Sequence, residues 1–450
     1  MNLAESLICA SERHPELDAF PGIPYGELLP RVRTIAGGLA VAPGDRVALV
    51  LDNRIETALL YWACQWAGAV AVPLSWRLSE EELDYCIEDS GARIVIGEDD
   101  PLPEGPVHPG ELDRDERETS LLLYTSGTTG RPKGVPRSHA ADRAGAWSQA
   151  LQHGYAWRDR TLGVMPLYHT MGIHSLLAMH LVGGCFVPQP RWNAGEALRL
   201  VAEQRITSLY LAPTLFHDLV HDPDAAVADV SSVRALGYAG AAMTSTLVRR
   251  CVEVFRPEVF VNHYGSTEIY TFTIGRDQVS KPGCAGRQAV NTRLWIDDTG
   301  EILVHLRSDE AFGGYWNRPD ADAKAMRDGW YRTGDTGHLD DDGDLWLDGR
   351  VDDMIVSGGE NIHPLEVEDV LAAHPRVDEV AVVGAPDERL GQRVVAVVVG
   401  TATGEELDAH CLDSSLARFK RPREYRQRAA LPKSASGKIL RRLLRDEESV

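Results

Sequence analysis

The chain has 450 residues, with 46 Lys plus Arg against 67 Asp plus Glu, and the net charge of −21 argues against a nucleic-acid or anionic-membrane partner. Its length exceeds one ordinary core, so two or more domains are expected; 44% hydrophobic and 25% charged residues is the make-up of a soluble globular protein. Seven scattered cysteines without a Cys-x-x-Cys pair read as buried thiols in a reducing compartment. Residues 1–6 lack a secretory pattern and no apolar run is long enough to span a bilayer, so a cytoplasmic protein is expected.

Along residues 25–97 helical and strand-like patterns alternate. A helix from Tyr25 to about Leu39 is followed by a strand at Arg46–Leu51, an amphipathic helix from Asn53 to Gly68 and a strand at Ala69–Pro73. Ser79 with Glu82 three residues on is a capping box that opens a helix over Glu80–Ser90, and Arg93–Ile96 closes the set. This alternation predicts an α/β fold with a mostly parallel sheet covered on both faces. Pro101–Thr119, rich in proline and acids, reads as a linker or surface loop.

The apolar run Leu121–Tyr124 enters a stretch of hydroxyls, glycines and two cations ending at Gly134. Glycines allow tight turning and close approach, hydroxyls and free N–H groups donate, and Arg131 and Lys133 bring charge, which together suit a polyphosphate. No Gly-Lys-Ser/Thr closes the loop, so a P-loop fold is disfavoured. On composition alone the stretch reads either as a phosphate loop or as an ordinary polar turn. Further strands are expected at Leu162–His169, Leu209–Thr214, Ala235–Ala242 and Val259–Tyr264, with a helix over Thr170–His180. Their ends carry Ser126, His169, Ala239–Gly240 and Tyr264–Glu268, and strand carboxyl ends are where ligands gather in a parallel sheet.

From residue 290 the texture becomes β-rich, with a hairpin at Trp295–Val304 and another turning at Asp341–Gly343. The last hundred residues carry a helix from Pro364, strands at Val380–Val383 and Val394–Val399, a helix near Glu405–Leu416 and a basic tail. They read as a small α+β domain, giving two units, 1–350 and 351–450, with the boundary at Arg350–Asp352.

Six stretches now resemble one family in order. They are Tyr124–Gly134, Tyr264–Glu268, Tyr331–Asp335, Gly349–Arg350, Ser357–Pro364 and Ser436–Lys438. Together they resemble the AMP-forming acyl- and aryl-CoA synthetase, luciferase and adenylation-domain superfamily, and the likeness covers essentially the whole chain. Pro166–His169, Ser208–Thr214, Asp352–Pro364 and Phe419–Arg423 look most like the benzoate and halobenzoate CoA ligases. The segment before the phosphate loop is short for that family.

The resemblance implies a large domain of layered sheets and helices, a β-rich subdomain and a small mobile domain. It also implies two half-reactions: ATP activates a carboxylate as an acyl-adenylate, and a thiol, usually of coenzyme A, displaces AMP. The first brings an anion onto a polyanion, so charge must be neutralised at the phosphorus. The implied phosphate grip is Thr125, Ser126, Gly127, Thr128, Thr129, Gly130 and Lys133, with Tyr264, Gly265, Ser266 and Thr267 beside the nucleotide. Glu268, with Thr128, is the implied Mg²⁺ ligand, oxygen donors being what Mg²⁺ takes. Asp335 is expected on the ribose hydroxyls and Arg350 on ribose or phosphate.

Lys438 is the expected catalytic cation at the α-phosphate, and lysine suits that role as a compact charge. Gly358 and Gly359 are expected along a pantetheine tunnel, Asp352 at a hinge, and Phe419, Arg421 and Arg423 on the CoA nucleotide. His169 is implied to gate the carboxylate site. The pocket floor is expected to include Thr170, Met171, Ala239, Gly240, Ala241, His263, Tyr270 and Thr271, where small residues leave a slot for a flat ring and His263 and Tyr270 hydrogen-bond a ring substituent. No aspartate follows His169 to grip an α-amino group, which speaks against amino-acid substrates. The expectation is a ligase of small aromatic acids using ATP, Mg²⁺ and coenzyme A, with room left for a homodimer. A stand-alone enzyme loading a carrier-protein thiol, a succinylbenzoate-type or short-acyl ligase, and an inactive nucleotide-binding relative are the alternatives.

Overall fold

The computed structural model describes residues 1–125, 131–433 and 439–448. Among these, the expected alternation appears as two α/β sheets. In the first, Ile94–Gly97, Arg46–Val50, Val70–Pro73 and Thr119–Thr125 run parallel in that spatial order, and Lys133–Ser138 adds an antiparallel edge. The second has seven strands in the order Arg287–Gln288, Thr273–Gly275, Val259–Tyr264, Ala235–Tyr238, Ser208–Leu211, Arg160–Gly163 and Cys185–Pro188. Its last five are parallel and the first two antiparallel.

Between the sheets lie two helices with little polar surface. The sequence pattern predicts an amphipathic helix after Asn53, yet in the helix Ile55–Trp66 every residue from Thr57 to Trp66 is buried. All of Thr170–Leu181 is buried too. Both are packed from two sides, Leu60, Trp62, Leu176, Leu177 and Phe186 sharing one core, and a helix covered all round needs no polar stripe. His180 serves that core by accepting the Trp62 indole N–H at 3.1 Å and stacking on its ring. The capping box stands as expected, with the Ser79 hydroxyl and Glu82 carboxylate satisfying each other's backbone.

A third, antiparallel sheet comprises Leu294–Ile296, Glu301–His305, Met326–Arg327, Trp330–Leu339 and Leu345–Arg350. A fourth contains only residues beyond 354: Ile355–Ser357, Glu360–Ile362, Val377–Asp387, Gly391–Gly400 and Glu424–Gln427. Alternation along Gly391–Gly400 feeds a core on each of its faces. Val394, Ala396 and Val398 pack with Ile362, Val367 and Leu371 on one side, while Val395 and Val397 pack with Val383 and Leu444 on the other.

The end of the chain differs from the expected basic tail. Glu424–Gln427 pairs in parallel with Val395–Val398, and Arg441–Glu448 is a helix whose Leu444 is buried. That helix clasps the segment after Arg350: Arg445 donates to the Asp352 carbonyl at 2.8 Å and pairs with Asp353 at 3.1 Å. No helix among the described residues is long and apolar enough to cross a membrane.

Candidate active site

The strand Val259–Tyr264 ends in a turn that only glycine fits. A Cβ on Gly265 would lie 1.8 Å from the Tyr270 carbonyl oxygen, so the chain doubles back at once. Ser266 N–H donates to the Ile269 carbonyl at 3.0 Å, and Phe272 N–H returns to the Tyr264 carbonyl at 2.8 Å. The turn carries Thr267 and Glu268 and aims the Tyr264 ring at the β-rich subdomain.

There Asp335 and Arg350 face each other across antiparallel strands. The Tyr264 hydroxyl donates to Asp335 Oδ2 at 2.6 Å and Arg350 Nη1 to Oδ1 at 2.7 Å. Burial, reinforced by the Asp335 charge, pushes the Tyr264 hydroxyl well above its usual range, so it stays a donor. Gly334 sits at φ +71°, and a Cβ there would meet Arg350 Nη2 at 2.8 Å. The fold thus brings Tyr264, Asp335 and Arg350 together as the motifs imply.

Glu268 is buried, and its Oε1 accepts the Tyr315 hydroxyl at 2.5 Å. Lys133 Nζ lies 4.4 Å from the centroid of the same Tyr315 ring, and Arg131 stacks over Tyr85. Thr125 and Lys133 are opposite each other in the strand pair that flanks the loop. A carboxylate oxygen, a hydroxyl and a lysine cation around one ring form a donor set that fits a magnesium polyphosphate. Ser126, Gly127, Thr128, Thr129, Gly130 and Lys438 lie outside the described residues.

On the acyl side, His169 caps the helix Thr170–Leu181, its Nδ1 accepting Met171 N–H at 3.3 Å. Met171, Ala239 and Tyr270 share an apolar cluster with Met165, Tyr210 and Ala212. Gly240, at φ +87°, and Ala241 are exposed beside it. Thr170 is buried and its hydroxyl meets His174 Nδ1 at 3.2 Å.

The polar groups of this wall have hydrogen-bond partners inside the protein. His263 Nε2 reaches the Tyr270 carbonyl at 3.2 Å and its Nδ1 meets His153 Nε2 at 3.0 Å. A neutral ring that donates from Nε2 must accept at Nδ1, so His153 donates. The Tyr270 hydroxyl donates to Gln149 at 2.6 Å, and Thr271 donates its N–H to Glu310 while its carbonyl accepts the Thr292 hydroxyl. In this arrangement the side chains of His263 and Tyr270 and the backbone of Thr271 each have a partner within the protein.

In the last hundred residues, Gly358 and Gly359 form a hairpin turn with φ +62° and +87°. A Cβ on Gly359 would meet nothing within 4 Å. The two positive φ angles of the turn by themselves favour glycine at both positions. Arg421 pairs with Asp408 at 3.1 Å, whereas Phe419 and Arg423 are exposed.

Two contributors escape a reading of the sequence. Tyr315 follows Gly313–Gly314, and a glycine pair before aromatics is a signal that could have found it. Arg137, buried beneath the Glu268 turn, offers none, since the carbonyls it binds lie more than a hundred residues away.

The family model for AMP-binding enzymes matches residues 10–114 and 98–316, and that for the AMP-binding enzyme C-terminal domain matches residues 366–438. A feruloyl-CoA synthase of Amycolatopsis is 35% identical over 93% of this chain and 92% of its own. A 4-chlorobenzoate–CoA ligase of Arthrobacter is 33% identical over 94% and 89%, and a long-chain fatty-acid–CoA ligase of Mycobacterium tuberculosis 31% over 93% and 91%. The o-succinylbenzoate CoA synthetase of Bacillus subtilis, solved with its acyl-adenylate, superposes with a TM-score of 0.86 at 29% identity, covering 98% of this chain and 97% of that one. With the whole fold and both halves of the chain matched, this protein belongs to the AMP-binding enzyme family.

Proposed function

We propose that the protein is an ATP-dependent ligase that activates a small aromatic carboxylic acid as its acyl-adenylate and transfers it to coenzyme A. The observation that carries this reading is the Tyr264–Asp335–Arg350 arrangement, which presents a carboxylate between a hydroxyl and a guanidinium where a ribose diol can be bound. Glu268 and Thr128 would hold Mg²⁺, which when bound neutralises phosphate charge. Thr125 to Gly130 and Lys133 hold the pyrophosphate end of ATP in this reading, and Lys438 orients the acid's carboxylate against the α-phosphate. His169 and the Met171–Ala239–Tyr270 cluster, with Gly240 and Ala241 at its edge, receive the acyl group.

The aromatic class is supported by relatives named for chlorobenzoate, ferulate and indoleacetate. The fatty-acid relative favours a second reading at similar identity. Free coenzyme A is favoured over a carrier protein by the exposed Phe419 and Arg423. We take residues 1–350 and 351–450 as the two domains, supported by the sheet and cores formed entirely beyond 354. A cytoplasmic setting suits seven free thiols; a homodimer is a proposal for light scattering to decide.

Half-reactions separate the roles. Lys438→Ala is expected to abolish acid-dependent pyrophosphate release, while a bulky residue at Gly359 slows thioester formation from preformed adenylate. Equal loss in both steps at Gly359 contradicts its place beside the thiol, and faster turnover with a phosphopantetheinylated carrier than with coenzyme A contradicts the acceptor.

A further inference from the structure

Arg137, on the edge strand Lys133–Ser138, is fully buried. Its Nη1 donates to the carbonyls of Thr267 at 3.2 Å, Glu268 at 3.1 Å and Glu310 at 2.7 Å. Its Nε donates to Asp142 Oδ1 at 2.9 Å, and Asp142 is also fully buried. Burying such a pair is costly, and packed apolar residues often serve stability as well. What apolar residues do not supply is a rigid cationic donor that is anchored through Nε and holds three carbonyls through Nη1.

The carbonyls it joins are informative. Glu268 is held through its own carbonyl by Arg137 and by the Phe312 N–H at 2.8 Å, and through its carboxylate by Tyr315. Arg137 thus binds the turn at 267–268 to the segment at 310–315, which carries both other grips on Glu268. On its far side, Asp142 Oδ1 lies 3.5 Å from His174 Nε2, and the His174 ring stacks on Tyr270 at 3.7 Å. The guanidinium stands between the acidic turn and the acyl-side wall.

We propose that Arg137 is a positioning residue that holds the Thr267–Glu268 backbone so that the Glu268 carboxylate is preformed for magnesium-bound ATP. This rests on the reading of Glu268 as the magnesium ligand. Residues that orient a metal ligand typically alter metal affinity by about tenfold or more when changed.

Calorimetric binding of ATP, with Mg²⁺ and with EDTA, gives the factor by which magnesium tightens nucleotide binding. Glu268→Gln should abolish that factor; if it persists in full, the ligand reading fails and the proposal with it. Given its loss, Arg137→Lys should reduce the factor by about tenfold, leave binding in EDTA unchanged, and add nothing in the double variant. A full factor in Arg137→Lys, or equal weakening with and without magnesium, overturns the proposal. Asp142→Asn, which keeps the guanidinium and loosens its anchor, provides the same reading should Arg137→Lys not fold: a reduced factor supports the role and an unchanged one overturns it.

Discussion

Tyr264 and Asp335, 71 residues apart, meet through a 2.6 Å hydrogen bond that joins the parallel sheet to the β-rich subdomain. The other Asp335 oxygen is held by Arg350, so one carboxylate fixes two elements and remains the candidate partner of a ribose.

Asp335→Asn should therefore weaken both ATP binding and the fold. Charge-assisted hydrogen bonds contribute roughly 1.5–3 kcal/mol, and a loss of about 2 kcal/mol is expected in denaturant titration. ATP affinity should fall at the same time. Full ATP affinity in a folded Asp335→Asn protein would remove Asp335 from the nucleotide site.

Gly265→Ala should be among the most damaging small substitutions. Its Cβ would collide with backbone at Tyr270, which no side-chain rotation relieves, and overpacking of this kind costs about 3 kcal/mol. Gly359→Ala meets open space and carries only the left-handed backbone penalty of about 1–2 kcal/mol. Thermal melts of the two variants should differ in that order.

Acid should destabilise the protein as its buried neutral histidines are forced to take up protons. Burial pushes His139, His180 and His263 down to about 4 from an ordinary 6.5, and holds His153 and His174 well below that ordinary value. The unfolded chain then binds more protons than the folded one between these values, so their stabilisation is full above pH 6.5 and is lost as pH falls toward 4. The melting temperature should decline across that window, and a flat profile would contradict buried neutral rings.

Local chemistry is legible in the sequence and distant pairing is not. The Ser79–Glu82 capping box spans three residues and reads directly. The glycine pair at Gly358–Gly359 is visible too, but its reason, two positive φ angles, belongs to the folded hairpin. The helix Ile55–Trp66 loses its polar face only because a second layer, the helices Tyr25–Leu39 and Leu3–Arg13, covers it. His153 with His263 and Arg137 with Glu268 lie 110 and 131 residues apart, and no local pattern announces them. The strand Glu424–Gln427 reads as a charged tail until its parallel partner is in place.

The most direct test of the central claim is a panel of carboxylic acids scored for coenzyme A-dependent AMP formation with ATP and Mg²⁺. A small aromatic acid should give the highest kcat/KM, with AMP and thioester formed in equal amounts. A medium-chain fatty acid winning the panel would contradict the aromatic assignment, and no AMP with any acid would contradict the ligase itself.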